Sequence, residues 1–157
     1  VMLRVIRDIT RQPIAPARGT SVQALDLDTA ADVLRQLHPD AVRHKFLAAF
    51  LRAHRRFRGL AIAIRRKGRF QGAAVGRISE TCPDLVEAAF HHAPVPSLES
   101  VVRGFEAAVS TFGLRYVGFS VPVKQENLFK QLGYVRSEHD FFWTMYTLRK
   151  RVRQTTS

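Results

Sequence analysis

One cysteine in 157 residues, Cys82, leaves nothing for it to pair with inside the chain. A reducing compartment suits such a chain, and a cytoplasmic location is expected. No apolar run approaches the roughly 20 residues that a membrane helix needs, so no membrane partner is expected. Metal-site spacing is missing too. His91, His92, His139 and Asp140 come nearest to a ligand set, but no two of them have a characteristic spacing, and no metal is expected. Zinc fingers, RNP-type strands and Gly-x-x-Gly clamps are equally missing, which leaves no sequence-specific reader of nucleic acid. The most telling scarcity is of negative charge. From Ala41 to Ser79 stand eleven Lys and Arg residues and no Asp or Glu, whereas the rest of the chain has fourteen bases against thirteen acids.

What is there is the composition of a globular protein, 46% hydrophobic with eleven Phe, at a length that suits one domain. The net charge of +12 is one patch, not a diffuse bias. Such a patch concentrates polyanions: nucleic acid, an anionic substrate or the phosphates of a cofactor. Arg52, Arg55 and Arg56 on a helix, with Arg65, Arg66 and Lys67 at a hairpin, are the candidate anion or nucleic-acid contacts. The plain alternative is a solvated helix face beside a basic hairpin. Phe46, Phe50 and Phe57 are interleaved with these cations, but at helical spacing, as core residues are. Nucleic acid held this way would be gripped by its phosphates and released by salt.

Along the chain, residues 1 to 20 read as a short strand or arm and then a linker broken by Pro13 and Pro16. Arg4, Arg7, Arg11 and Arg18 against Asp8 alone have the charge of a transit peptide, without its Ser content or amphipathic stripe. Val22–Leu27 reads as a strand. A helix over residues 30 to 37 follows, with Thr29 and Asp32 at capping-box spacing. A second helix starts near Pro39 and carries Val42, Phe46, Phe50, Ala53 and Phe57 as its apolar stripe, with Gly59 as its stop. Leu60 to Ile64 and Phe70 to Ile78 form a hairpin turned by residues 65 to 69, the second arm thinned by Gly72, Ala73 and Ala74. Cys82-Pro83-Asp84 is a loop, Leu85 to Phe90 a strand, and a helix from Ser97 ends at Gly113. Tyr116 to Val121 is a strand, and Asn127 caps a short helix with Leu128, Phe129 and Leu132 on one face and Gly133 as its left-handed stop. Phe141 to Leu148 closes the domain, and residues 149 to 157 form a basic, flexible tail.

The run Val123-Lys124-Gln125-Glu126-Asn127-Leu128-Phe129-Lys130-Gln131-Leu132-Gly133-Tyr134, set between two strands, resembles the closing half of a GCN5-related N-acetyltransferase (GNAT) domain. That family writes its short helix as Asn-x-x-Ala-x-x-x-Tyr-x-x-x-Gly-Phe. Here Asn127 lies closer to Gly133 than in that form, and Phe129 stands near the usual Tyr. The order of elements over residues 21 to 148 is similar to that of the family. The resemblance implies a single α/β domain (mixed, α+β-like) with a twisted, mostly antiparallel sheet of 6–7 strands and about four helices. It also implies acetyl-CoA or another acyl-CoA as a partner, seated where the fourth and fifth strands of the family's sheet splay apart.

On that resemblance, Phe90 and Ser120 mark the strand ends at the cofactor notch, and Val95 lies in its loop. Asn127 and Phe129 would contact the pantetheine end. The family's pyrophosphate loop, Arg/Gln-x-x-Gly-x-Gly/Ala, brings backbone amides to phosphate. This chain has His91-His92-Ala93-Pro94-Val95-Pro96-Ser97-Leu98-Glu99 there: no glycine, two prolines and an acid in the first helical turn. His91 and His92 as donors and Ser97 as a hydroxyl are what remain to hold it. Amine acylation needs a base and a proton donor for the thiolate. Glu80, Glu87 and His91 are the candidate bases, imidazole because it titrates near working pH; Tyr134 and Tyr116 are the candidate acids. Cys82 is read as a small buried residue and not a nucleophile. The reading is an acyl-CoA-dependent N-acyltransferase acting on an amine of an anionic or nucleic-acid-associated substrate. Its alternative is an inactive GNAT-like module that binds nucleic acid or an acidic partner through residues 41 to 79.

Overall fold

The computed structural model of the chain describes residues 2–37, 59–79 and 82–137. Among them are seven strands and three α-helices: β1 (Met2–Asp8), β2 (Thr20–Ala24), α1 (Leu27–Leu37), β3 (Gly59–Arg66), β4 (Arg69–Ile78), β5 (Leu85–His92), α2 (Leu98–Ser110), β6 (Tyr116–Pro122), α3 (Glu126–Gln131) and β7 (Val135–Arg136). They form one sheet in the order β2-β3-β4-β5-β6-β1-β7. Every pairing is antiparallel except β5 with β6. A mixed α/β domain with a mostly antiparallel sheet is thus what the chain builds. The helix read from Pro39 and the closing strand from Phe141 lie outside the described residues, with Arg52, Arg55, Arg56 and Glu80.

The segment read as an arm before a linker does more than that. Residues 2 to 8 run between β6 and β7, pairing Met2 with Pro122 through to Asp8 with Tyr116 on one side, and Val5 and Ile6 with Arg136 and Val135 on the other. Val5 and Ile6 are buried on opposite faces of the sheet, which weak alternation in the sequence disguised.

Local chemistry moves several boundaries. β2 stops at Ala24 because Asp26 caps α1: its carboxylate accepts from Thr29 N at 2.8 Å and from Thr29 Oγ1 at 2.9 Å. The cap is therefore Asp26 with Thr29, not Thr29 with Asp32. Gly59 opens β3, and that strand continues through Arg65 and Arg66, so the hairpin turns on Lys67 and Gly68 alone. Both have positive φ, 51° and 79°, as a two-residue hairpin turn of this hand demands. Asn127 is not a cap either. A 3-10 turn over Val123–Gln125 leads into α3, whose cap is Gln125, and Asn127 is its second residue.

One face of the sheet packs on α2. Ile62, Ile64, Ala74, Val86, Ala88, Val117 and Phe119 meet the stripe Val101, Val102, Phe105 and Val109 in one buried cluster. Gly72 makes this approach possible, since a Cβ there would stand 2.1 Å from His92 O and 2.7 Å from Val101 Cγ2. Residues between them on the strands, Ala61, Ala63, Ala73 and Val75, are buried as well, so both faces are covered. Cys82 lies buried with Ile6, Leu85 and Tyr116 in a smaller cluster, as a structural residue would.

A buried ionic knot ties β1 to α2 and to the turn after α3. Glu106 on α2 pairs with Arg7 at 3.0 Å and with Arg103 at 2.9 Å, and accepts the Tyr134 hydroxyl at 2.7 Å. Arg103 also donates to Leu132 O at 2.8 Å, and Arg7 to Gln12 O. All four side chains belong to buried residues. Burial, then the Glu106 charge, push the Tyr134 phenol well above its usual range, so it stays protonated and donates. At the sheet's other face Asp8 accepts from Thr10 N and Oγ1 and from Arg115 Nε. Burial pushes the Asp8 carboxyl up, but the Arg115 and Thr10 hydrogen bonds outweigh it and hold it below the ordinary aspartate value.

Two stability outcomes follow. Glu106→Gln leaves two buried guanidinium groups without an anion and costs about 3–5 kcal/mol in urea unfolding, whereas Tyr134→Phe costs only about 1–3 kcal/mol. Equal losses would show that pairing with the two guanidinium groups adds nothing beyond the phenol's hydrogen bond. Asp8→Asn lowers Tm at neutral pH. Because the folded carboxyl titrates below 3.8, wild type keeps its advantage above that pH and loses it as the pH falls through the folded value, so the two melting curves converge only in acid.

Candidate functional site

Among the described strands, the one parallel pairing is short. β5 and β6 are in register from Leu85 with Tyr116 to Ala88 with Phe119, and there it ends. Beyond that point β5 stays on β4 to His92, while β6 stays on β1 to Pro122. The strands separate because of one extra residue. Val75 faces Phe90 and Gly76 faces Ala88, which leaves Ala89 as a bulge that bends β5. The result is a notch at the carboxyl ends of two parallel strands, with a strand edge on each side that has no partner in the other.

His91 sits in the notch. Its ring lies edge-on to Phe119 at 5.5 Å and to Phe129 of α3 at 6.2 Å, and it is half-buried. Phe119 also touches Phe105 and Tyr134, so the notch floor is an aromatic cluster continuous with the core. Ser120, the first β6 residue past the last pair, is half-buried at the opposite lip. Phe129 is fully buried beneath, and Asn127 is exposed near the start of α3. His91 and Phe129 thus meet at the splay and Ser120 lies on β6 just past the last pair, while Asn127 is on the same short helix as Phe129. Phe90 lies on β5 at the bulge, but its side chain falls outside what is described.

Other expected residues lie elsewhere. Val86 and Ala88 face α2, so Glu87 between them faces the other side of the sheet, with Arg77 at 3.9 Å. It is neither beside His91 nor beyond the splay. Tyr134 is in the core with its hydroxyl given to Glu106, and Tyr116 is fully buried in the smaller cluster. Both readings as acids fail for the same reason: neither phenol reaches the notch. His92 is half-buried, and burial lowers its pKa, keeping the ring neutral at neutral pH.

The loop that leaves β5 is poor in donors. Pro94 and Pro96 have no N–H. Ser97 N bonds to Pro94 O at 2.8 Å, and Leu98 N to Val95 O, closing a 3-10 turn over Val95–Ser97. Four of the five amides at positions 94 to 98 are therefore missing or spent. The Ser97 side chain makes no cap bond, Val95 is exposed, and Glu99 lies exposed in the first turn of α2. Among the described residues no group of three or more His, Cys, Asp or Glu is gathered as a metal site would be, and no helix is long and apolar enough to cross a membrane.

Sequence reasoning missed the bulge at Ala89 and the cluster centred on Phe119. The alternation of β5 reads as continuous, and only the register against Val75 and Gly76 reveals the extra residue.

No known sequence family matches this chain, and no curated protein does. Solved structures do. A tandem GNAT protein from the clavulanic acid biosynthesis pathway is 13% identical with a TM-score of 0.53, the match covering 86% of this chain and 50% of that one. A GCN5-related N-acetyltransferase from Kribbella flavida is 13% identical with a TM-score of 0.52 over 86% of this chain and 54% of that one. A functionally unknown conserved protein from Staphylococcus epidermidis has a TM-score of 0.60 at 7% identity, over 87% and 57%. The chain thus spans about half the length of each. With a mixed sheet whose described strands include one parallel pair that splays above an aromatic floor, the chain has the fold of the GCN5-related N-acetyltransferases.

Proposed function

We propose that this chain is an acyl-CoA-dependent N-acyltransferase whose donor lies in the notch between β5 and β6. The observation that carries the reading is the end of strand pairing at Ala88 and Phe119, with His91 held just beyond it. Two facing strand edges past a bulge accept an extended, amide-bearing arm in the manner of an added strand. The thioester at the tip of such an arm would come to lie near His91 and Ser120. Asn127 and Phe129, from α3, close the same space from the β6 side.

The chemistry asked of the site is modest. An amine arrives as an ammonium ion and must lose one proton before its nitrogen attacks the thioester carbon. The C–N bond forms, the C–S bond breaks, and the second proton shed by nitrogen ends on the leaving sulfur. His91 is the base we carry forward for the first proton, since Glu87 faces the other side of the sheet. The acceptor we favour is an amine on an anionic or nucleic-acid-associated molecule, on the strength of the eleven cations between positions 41 and 79.

The donor-poor loop favours a second reading: a module of this fold without catalysis, which binds nucleic acid or an acidic partner through its basic face. Calorimetry with acetyl-CoA separates the two. Saturable micromolar binding is expected, weakened several-fold by Asn127→Ala. His91→Gln is expected to keep that affinity within about twofold while thiol release in the presence of a panel of primary amines falls about 100-fold or more. Absence of saturable binding at low and moderate salt would remove the acyltransfer reading.

A further inference from the structure

The strand directions place two features at one end of the sheet. β5 and β6 both open at their carboxyl ends, and the antiparallel partners put the β3–β4 turn at that same end, with Ala73 on β4 facing His92 on β5. The turn carries Arg65, Arg66, Lys67 and Arg69, and Arg18 precedes β2, whose Thr20 faces Arg66. All five are exposed, and no carboxylate pairs with them among the described residues. At strand spacing, β3 is roughly 10 Å from β5 along the sheet.

The hairpin does not need this charge. Arg66 faces Arg69 directly across the turn, and like charges opposite each other weaken a strand pair. Arg65 spreads over the Phe70 ring at 5.9 Å, which pins one guanidinium in place with its edge still exposed. Lys67 takes a left-handed conformation at the tip, φ 51°, where Asn or Gly would be less strained. Meanwhile the loop after β5, one strand further along, has spent or lost its amides.

We infer that the β3–β4 hairpin tip is a phosphate-binding site that replaces the missing amides of the loop after β5. Its ligand is a small phosphate-bearing molecule whose other end reaches the notch. The identity of that other end rests on the acyltransfer reading; the anion site does not. Two sources share the chemistry: the nucleotide end of the acyl donor, or a phosphate on the acceptor. Exposed cations act through solvent, so affinity falls as salt shortens the screening length below about 10 Å.

The test uses the full chain, with inorganic pyrophosphate and adenosine 3′,5′-bisphosphate as probes in calorimetry at two salt concentrations. Arg66→Gln with Arg69→Gln is compared with Arg11→Gln and Arg35→Gln, an exposed pair that removes equal charge elsewhere. The hairpin pair should weaken both probes at least tenfold, and the control pair less than twofold. Lys67→Asn, which suits the turn, should weaken them about threefold, an independent check should the double variant fold poorly. Equal losses in both pairs, or no binding of either probe, would overturn the inference. So would a single-stranded oligonucleotide that binds the hairpin far more tightly than pyrophosphate, since the surface would then belong to nucleic acid. Acetyl-CoA distinguishes the sources: weaker binding in the hairpin pair assigns the site to the donor, unchanged binding to the acceptor. Probe binding that depends on the hairpin, with no binding of acetyl-CoA, would keep the site and remove the acyltransfer reading.

Discussion

One buried carboxylate joins β1, α2 and the turn after α3. Glu106 lies among two guanidinium groups and a phenol. Burying three charges is expensive, and attraction alone repays it poorly. The carbonyls of Leu132 and Gln12 take further guanidinium hydrogens and reduce the cost. What the knot supplies is position. α2 begins at the loop after β5, and α3 stands over the end of β6, so a rigid join between them sets the separation of the two sides of the notch. Phe129 and Tyr134 enter the core on either side of the turn that Arg103 grips.

The notch and the ionic knot share a floor. Phe119 touches His91 above, Phe105 and Tyr134 below, and Phe129 to one side. A tightly packed aromatic contact transmits small displacements instead of absorbing them. The imidazole at the splay is thereby referred to the same core as the helices, and its place is set by packing as much as by the strand that bears it. This division of labour also explains why the phenol expected near the notch is absent from it: Tyr134 is needed underneath.

Much of the architecture was legible because period and punctuation agree. The β3–β4 hairpin, the helix with its Val101, Val102, Phe105 and Val109 stripe, and the stop at Gly133 can each be read from spacing and turn chemistry. Boundaries shifted where a side chain decided the matter, as at Asp26, whose carboxylate takes the cap that Thr29 seemed to hold. Pairing was harder to see. Nothing local in Met2–Asp8 says that its partners lie more than a hundred residues away, and nothing in the run from Leu85 to His92 marks Ala89 as the residue without an opposite. In the candidate site, type and order pick out His91 and Phe129, whose rings meet past the end of the β5–β6 pairing, and Ser120, the first β6 residue beyond it. Glu87 and Tyr134 were misplaced because sequence does not tell which face of a strand, or which depth, a titratable group will occupy.

The position of β1 has a consequence for how the chain reaches this structure. The first strand joins β6 and β7, so the sheet cannot be completed until the chain has been made as far as residue 122, and the β7 pairing needs residues 135 and 136. Contacts of such sequence separation make folding slow. A chain emerging from the ribosome would present β3, β4 and β5 as a local antiparallel unit while β1, already outside, waits with Val5 and Ile6 uncovered. During that interval β1 is an adhesive strand in search of an edge, and the like charges at Arg4, Arg7 and Arg11 work against its pairing with another copy of itself.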